Sequence, residues 1–193
     1  MKENYCEILM IIDRSGSMTD VQSDAIGGFN TFLKEQQNLP GEALLSLVLF
    51  DNEYIEFIKS IDIHHVEPLN NKTYVPRGTT ALLDAIGRGI NSLGERLNLL
   101  KEEERPEKVI VGIITDGYEN ASHEFSKDRI KEIIDCQSDT YNWEFIFLGA
   151  NMDAVGEGTS LGIACSLGYT GNGKGTQDAY KKISRSISAY RSK

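Results

Sequence analysis

The sequence predicts an α/β fold: a doubly wound, mostly parallel central sheet with one antiparallel edge strand and helices on both faces. Two observations predict this three-layer class. Short, almost wholly apolar runs of strand length alternate with segments whose apolar residues recur at helical spacing, and that order implies right-handed crossovers between parallel strands. One further segment alternates apolar and polar residues after a very short link, which is typical of an antiparallel edge strand.

The apolar runs are short and lack polar alternation, so they are predicted as strands buried on both faces. In chain order they cover residues 7–12, 43–50, 109–114 and 143–148, with a shorter run at 163–167. The antiparallel edge strand is predicted at residues 54–63. Its apolar side chains are expected on one side of the sheet: Ile55, Phe57, Ile61 and Ile63.

Apolar residues spaced three and four apart predict four helices. The first covers residues 20–37 and the second residues 80–97. Ser126 is expected to cap the third helix, which carries Ile130, Ile133 and Ile134. The fourth lies at the C-terminus, on the pattern Ala179, Ile183, Ile187 and Tyr190. The charged segment 101–107, which contains a proline, is predicted to be a solvated connection.

Length and composition are those of an ordinary globular protein, with 193 residues, 40% hydrophobic and 25% charged. A chain of this length buries roughly 70% of its unfolded surface, and no linker or repeat interrupts it, so we expect one domain spanning residues 1–193. The 20 basic and 29 acidic residues give a net charge of −9. Such an acidic surface disfavours nucleic acid and anionic membranes as the main partner.

Cysteine usage and the N-terminal segment indicate a cytoplasmic location. The longest apolar run is far too short to span a bilayer, and no secretory signal is visible. Cys6, Cys136 and Cys165 are odd in number and widely spaced, so they form neither a disulfide framework nor a metal-binding pair. They are expected to be buried apolar filler in a reducing compartment.

Oxygen-bearing side chains follow the predicted strands, at the edge of an α/β sheet where ligands bind. Asp13, Ser15 and Ser17 follow the first strand at alternate positions, and Asp116 follows the fourth. The segment Arg77-Gly78-Thr79-Thr80-Ala81 offers two more hydroxyls before the second helix. All these donors are oxygens, which suit a hard divalent cation, Mg²⁺ above all, with Mn²⁺ or Ca²⁺ as alternatives.

This constellation resembles the von Willebrand factor type A (vWA) domain family with its metal-ion-dependent adhesion site (MIDAS). The segments DRSGSM, FNTFL, RGTTALLDAI, IITDGYENAS and WEFIFLGAN look like the small standalone bacterial, archaeal and phage members. The resemblance implies a metal site formed by Asp13, Ser15, Ser17, Thr80 and Asp116, with Thr79 as the alternative to Thr80. It further implies that the chain is a protein-binding module and not an enzyme. The partner of such a module supplies an Asp or Glu carboxylate to the metal.

Two other functions stay open at this point. A Mg²⁺-dependent hydrolase of the haloacid dehalogenase phosphatase type also places an aspartate after its first strand. That enzyme needs a second carboxylate two positions later, where this chain has Ser15. The sequence also shows no lysine in a position that would clearly bind the transferred phosphate. An accessory subunit that presents its metal face to an ATPase or another complex component differs from the first hypothesis only in its partner.

Several other motifs are predicted to be structural. Four further polar residues are weaker candidates for a functional role and are expected to be loop or helix-surface residues: Asp84, Asn120, Asn151 and Asp153. The pair His64-His65 is assigned to a solvated loop and Trp143 to packing at the start of its strand. The segment 168–175 resembles a P-loop, but Gly175 stands where Ser or Thr would bind Mg²⁺, so it is predicted to be a flexible loop before the last helix.

Overall fold

A single six-stranded sheet organises the part of the chain that the computed structural model describes, residues 1–150 and 152–192. The strands are β1 (Lys2–Asp13), β2 (Glu42–Phe50), β3 (Tyr54–Asp62), β4 (Pro106–Thr115), β5 (Glu144–Ala150) and β6 (Cys165–Tyr169). Their order across the sheet is β3-β2-β1-β4-β5-β6. The β2–β3 pair is antiparallel and the other pairs are parallel, which confirms the predicted fold class.

Helices cover both faces of this sheet. They are α1 (Gln22–Gln37), α2 (Leu82–Asn98), α3 (Lys127–Tyr141), α4 (Ala154–Ser160) and α5 (Gly173–Arg191). Three 3-10 turns, Gly16–Val21, Ile63–His65 and Glu102–Glu104, complete the described elements. Alternate residues of β1 face opposite layers: Ile8, Met10 and Ile12 pack with α1 and α5, while Leu9 and Ile11 pack with α2. Burial on both sides explains why the strand is apolar throughout.

The edge strand β3 lies where it was predicted, but the prediction of its buried face was wrong. Ile58 is the residue of β3 buried under α1, whereas Phe57 and Ile61 are exposed. The register against β2 shifts twice, and Ser60 has a φ of 47°. Each extra residue in a bulge turns the following side chains to the other face, so the simple alternation does not hold.

The ends of several elements also differ from the sequence prediction. β4 begins at Pro106, inside the segment predicted to be a connection, because a proline is tolerated as the first residue of a strand. The short helix α4 was not predicted at all. The glycine-rich segment is not one flexible loop: β6 ends at Tyr169, and the Asn172 side chain accepts the Gly175 N–H and caps α5. Ser126 caps α3 through the Arg129 N–H as predicted.

The remaining structural predictions have mixed outcomes. Trp143 is buried and stacks on Phe145, as expected of a packing residue. His64 is exposed in a 3-10 turn and contacts Asp62. Cys6 is buried, but Cys136 and Cys165 are exposed, so the prediction of three buried cysteines was wrong for two of them. None of the helices in residues 1–150 and 152–192 combines the length and the apolar composition that a membrane span requires.

Candidate metal centre

The predicted site residues meet where the order of the strands reverses. From β1 the chain crosses to β2 on one side of it, and from β3 it crosses back to β4 on the other. β1 and β4 therefore lie side by side in parallel, paired as far as Ile12 and Ile114. The loops that follow them leave the sheet at the same level, which is the usual ligand position in a doubly wound fold.

Asp13 is fully buried at the end of β1, and both its carboxylate oxygens are occupied. Oδ1 accepts the Ser15 N–H at 2.6 Å, and Oδ2 accepts the Thr115 hydroxyl at 2.6 Å. Burial raises the pKa of the Asp13 carboxyl to about 6, and the nearby Asp116 adds to the rise, while the hydrogen bonds from Thr115 and Ser15 oppose it. The fold therefore holds a carboxyl group in a place that disfavours its charge.

The two serine hydroxyls link this carboxylate loop to Asp116. Ser15 precedes the 3-10 turn Gly16–Val21, but its hydroxyl does not cap that turn and instead lies 3.0 Å from the hydroxyl of Ser17. Ser17 Oγ in turn donates to Asp116 Oδ1 at 2.6 Å. Burial raises the pKa of Asp116, and the hydrogen bond from Ser17 lowers it. Four of the five predicted ligands thus lie in one continuous cluster of oxygens.

The Thr80 hydroxyl lies close to that cluster, next to Gly117. A Cβ atom at Gly117 would lie 3.7 Å from Thr80 Oγ1 and 3.9 Å from Ser17 Oγ, so the two hydroxyls flank the same small space. Thr80 is buried, whereas Thr79 is exposed. Within residues 1–150 and 152–192, the Thr80 hydroxyl has no hydrogen-bond partner. Of the two alternatives, the structure brings Thr80 and not Thr79 to the cluster.

The chemistry of this donor set fits a hard cation. Neither Asp13 nor Asp116 forms an ion pair with a Lys, Arg or His side chain anywhere in the described part of the chain. Two desolvated carboxyls without a counter-ion repel each other unless a cation or a proton is shared between them. In the same residues no group of three or more His, Cys, Asp and Glu side chains could hold a metal, so any ion here depends on the hydroxyls as well.

Two features of this edge were missed from the sequence. Asp51, which directly follows β2, is fully buried and pairs with Arg14 at 3.0 Å and with Arg77 Nε at 2.9 Å. These pairs join the segment before Thr80 to the loop after β1, as does the Arg77 N–H bond to the Arg14 carbonyl at 2.8 Å. The position of Asp51 directly after a buried strand, like that of Asp13, was the sequence feature that could have identified it. The buried Tyr74 hydroxyl, which donates to the Asp13 carbonyl at 2.5 Å, had no such signal.

Three of the weaker candidates form hydrogen bonds with the backbone of the loops and helices near the site. Asn120 exchanges hydrogen bonds with the backbone of Thr80, and Asp84 accepts three backbone N–H groups from the loop after β4. Asp153 caps α4 through the Gly156 N–H. Asn151 lies outside the described residues.

Fold and site together define a doubly wound α/β domain with a cluster of carboxylate and hydroxyl oxygens at its switch point. No protein-family model matches the sequence, and a comparison with curated proteins gave no match. Solved structures do match it, and several carry vWA domains. The vWF domain of the type V pili tip protein Mfa5 from Porphyromonas gingivalis aligns with a TM-score of 0.60 and 11% identity, over 95% of this chain and 95% of that one.

Two longer proteins align equally well. The PilB minor pilin from Streptococcus sanguinis gives a TM-score of 0.65 at 12% identity, and proximal thread matrix protein 1 from the mussel byssus, with a zinc-occupied MIDAS motif, gives 0.61 at 15%. Each match covers 95% of this chain, which spans 61% of the pilin and 46% of the mussel protein. At these identities the likeness concerns the fold alone. The chain has the fold of von Willebrand factor type A domains.

Proposed function

We propose that this chain is a divalent-metal-dependent protein-binding module whose metal is held by Asp13, Ser15, Ser17, Thr80 and Asp116. The observation that carries the proposal is the cluster of oxygens itself. Asp13 accepts the Ser15 N–H, and the Ser15 hydroxyl contacts that of Ser17, which donates to Asp116. Within the described residues neither buried carboxyl has a cationic partner, and the Thr80 hydroxyl, which has no hydrogen-bond partner there, borders the same space. The cluster lies at the switch point of the sheet, where doubly wound proteins bind ligands.

Mg²⁺ is the ion that we propose, because the donor set contains only oxygens and includes neutral hydroxyls. Mn²⁺ and Ca²⁺ accept the same kind of ligand and are the alternatives. When bound among neutral hydroxyls, such an ion keeps enough positive charge to attract an anionic oxygen from outside. Asp13 and Asp116 supply the negative charge of the site, while Ser15, Ser17 and Thr80 supply neutral oxygens.

The partner that we propose is a protein with an accessible Asp or Glu side chain. The five residues provide fewer strong ligands than a six-coordinate ion requires, so an external carboxylate can complete the set. Structural neighbours support a binding role, since two of them are a minor pilin and a pilus tip protein. The acidic balance of the chain also makes nucleic acid and anionic membranes poor partners.

A binding role is favoured over hydrolysis by the residue two positions after Asp13. A phosphatase of the haloacid dehalogenase type needs a carboxyl group there as acid and base, and Ser15 offers a hydroxyl that is already engaged with Ser17.

We further propose a cytoplasmic location, because Cys136 and Cys165 are exposed free thiols that suit a reducing compartment. Fractionation of the source cells tests the location.

Metal and partner binding are tested together with wild type and Asp13→Ala. Isothermal titration with Mg²⁺ should show one site in the wild type and none in the variant. Immobilised wild-type protein should then retain a partner in Mg²⁺ and release it in chelator, while Asp13→Ala should retain nothing in either. Partner binding that persists in chelator contradicts the proposal. Steady turnover of a generic phosphate ester that is lost in Asp13→Asn would favour the hydrolase instead.

A further inference from the structure

The loop after β4 (residues 116–126) is attached to the N-terminus of α2 through hydrogen bonds of its residues 119–125. Its first attachment is to Thr80 itself. The Asn120 side-chain carbonyl accepts the Thr80 N–H at 2.9 Å, and the Thr80 carbonyl accepts the Asn120 N–H at 3.0 Å. The loop that begins with Asp116 is therefore bonded directly to the backbone of another proposed metal ligand.

The second attachment provides the N-terminal cap of α2, which the helix lacks in its own sequence. The residue before the helix is Ala81, which has no side-chain oxygen. Glu119 Oε2 accepts the Leu83 N–H at 2.9 Å, and the Ser122 hydroxyl accepts the Asp84 N–H at 3.0 Å. These bonds satisfy N–H groups that have no partner within a helix, and the Glu119 charge is favourable at a helix N-terminus.

The third attachment runs in the opposite direction, from the helix to the loop. The Asp84 carboxylate accepts three successive backbone N–H groups, those of His123 at 3.0 Å, Glu124 at 2.9 Å and Phe125 at 3.0 Å. Desolvation raises the pKa of Asp84, but the three hydrogen bonds and the positive charge of Arg88 outweigh it, so the pKa lies below its ordinary value. One turn later on α2, a Cβ at Gly87 would lie 2.6 Å from the Phe125 ring, so that ring rests on the bare helix backbone.

Glu119 of the loop thus accepts a backbone N–H of α2, and Asp84 of α2 accepts three backbone N–H groups of the loop. We propose that Asp84 and Glu119 are positioning residues for the metal site: they hold the Thr80 segment against the Asp116 loop, although neither belongs to the five proposed ligands. This inference rests on the proposed function. Its physical basis is that groups bonded to metal ligands fix the geometry of those ligands, and their loss commonly weakens metal affinity roughly 10–100-fold.

The test is the affinity for Mn²⁺, measured by the electron paramagnetic resonance signal of free Mn²⁺, in wild type and in three near-isosteric variants. Asp84→Asn and Glu119→Gln each place an amide N–H where a carboxylate oxygen now accepts a backbone N–H. Asp62→Asn is the matched control, because Asp62 also accepts a backbone N–H, from His64, but lies at the opposite end of the sheet. Each titration is made well below the melting temperature of every variant, so that a mere loss of stability leaves the dissociation constant unchanged.

We expect Asp84→Asn and Glu119→Gln to raise the Mn²⁺ dissociation constant by roughly 10–100-fold and Asp62→Asn to leave it unchanged. If Asp84→Asn does not fold, Glu119→Gln decides the question. Wild-type affinity in folded Asp84→Asn and Glu119→Gln contradicts the positioning role and leaves the proposed metal site intact. A wild-type protein that binds no Mn²⁺ contradicts the proposed function and this inference with it.

Discussion

The Ser17 hydroxyl donates a 2.6 Å hydrogen bond to Asp116 Oδ1 and so joins two loops that are 99 positions apart in the sequence. The contact exists because β1 and β4 are parallel neighbours that end at the same level. In the absence of a metal, this bond and the one between Ser15 and Ser17 hold the acidic loop ends together. The same oxygens are the ligands in the proposed metal site, so changes at them should separate metal affinity from folding stability.

Thr80 and Thr79 provide a matched pair for testing which threonine is the ligand. Thr80→Ala should weaken Mg²⁺ binding about tenfold or more, whereas Thr80→Ser, which keeps the hydroxyl, should bind close to wild type. Because the Thr80 hydroxyl has no partner in the described part of the chain, the alanine variant should lose less than about 1 kcal/mol of metal-free stability. Thr79→Ala, at an exposed position, should change neither quantity. Calorimetric titration measures the Mg²⁺ affinity and urea denaturation in chelator measures the stability. The reverse pattern of affinities would assign the ligand to Thr79.

Asp13→Asn should stabilise the metal-free protein near neutral pH. Burial places the pKa of the Asp13 carboxyl at about 6, above its unfolded value, so the native state binds more protons between the two values. Wild-type stability in chelator should therefore fall as the pH rises from about 4 to about 6, by about 2 kcal/mol. The asparagine variant should not show this fall, and its advantage should vanish near pH 4. Urea denaturation across this pH range measures the difference; an equal pH dependence in both proteins contradicts the prediction.

Gly117→Ala should weaken metal binding without unfolding the protein. The added methyl group would lie at ordinary contact distance from Thr80 Oγ1 and Ser17 Oγ, 3.7 and 3.9 Å away, and would fill the space between them. We expect a loss of metal affinity of about tenfold, with metal-free stability changed by less than about 1 kcal/mol. Thermal unfolding in chelator and titration with Mg²⁺ separate the two effects. Unchanged affinity would place the metal elsewhere than between these hydroxyls.

The fold beneath the site contains a buried ion pair that can be compared with an exposed one on the same helix. Arg96 contacts the fully buried Glu7 at 2.6 Å, while Arg88 contacts the half-exposed Glu124 at 2.6 Å. Arg96→Met should destabilise the protein by about 3 kcal/mol, because it leaves the Glu7 carboxylate buried without a cation. Arg88→Met should cost less than about 1 kcal/mol. Equal losses in urea denaturation would contradict this account of α2.

The interior of the sheet could be predicted from the sequence because strands buried on both faces must be apolar throughout. β3 could be placed at the edge, but its inward side chain could not be identified, since the bulges near Ser60 depend on its pairing with β2. α4 has seven residues, two of them glycine, and too little periodicity to be recognised. It is held by the Asp153 cap and by packing beside β5 and β6, which only the tertiary structure provides.

The oxygens of the candidate site were predictable for a similar reason. Asp13 and Asp116 each follow a buried strand, and the topology of a doubly wound sheet brings such positions together. The role of Asp84 was not predictable in the same way. Its three hydrogen-bond partners come 39 to 41 positions later, and no local pattern marks them. Side chains that bind backbone across two loops leave no periodic signal in the sequence.

The most direct test of the metal site is the melting temperature of wild type and Asp13→Ala, recorded in chelator and then with Mg²⁺, Mn²⁺ or Ca²⁺. An ion present at a hundred times its dissociation constant adds about 2.7 kcal/mol of stability, which in a protein of this size raises the melting temperature by roughly 5–10 °C. We predict such a rise in the wild type with at least one of the three ions and none in Asp13→Ala. The same rise in both proteins, or no rise in either, would contradict a metal site at Asp13.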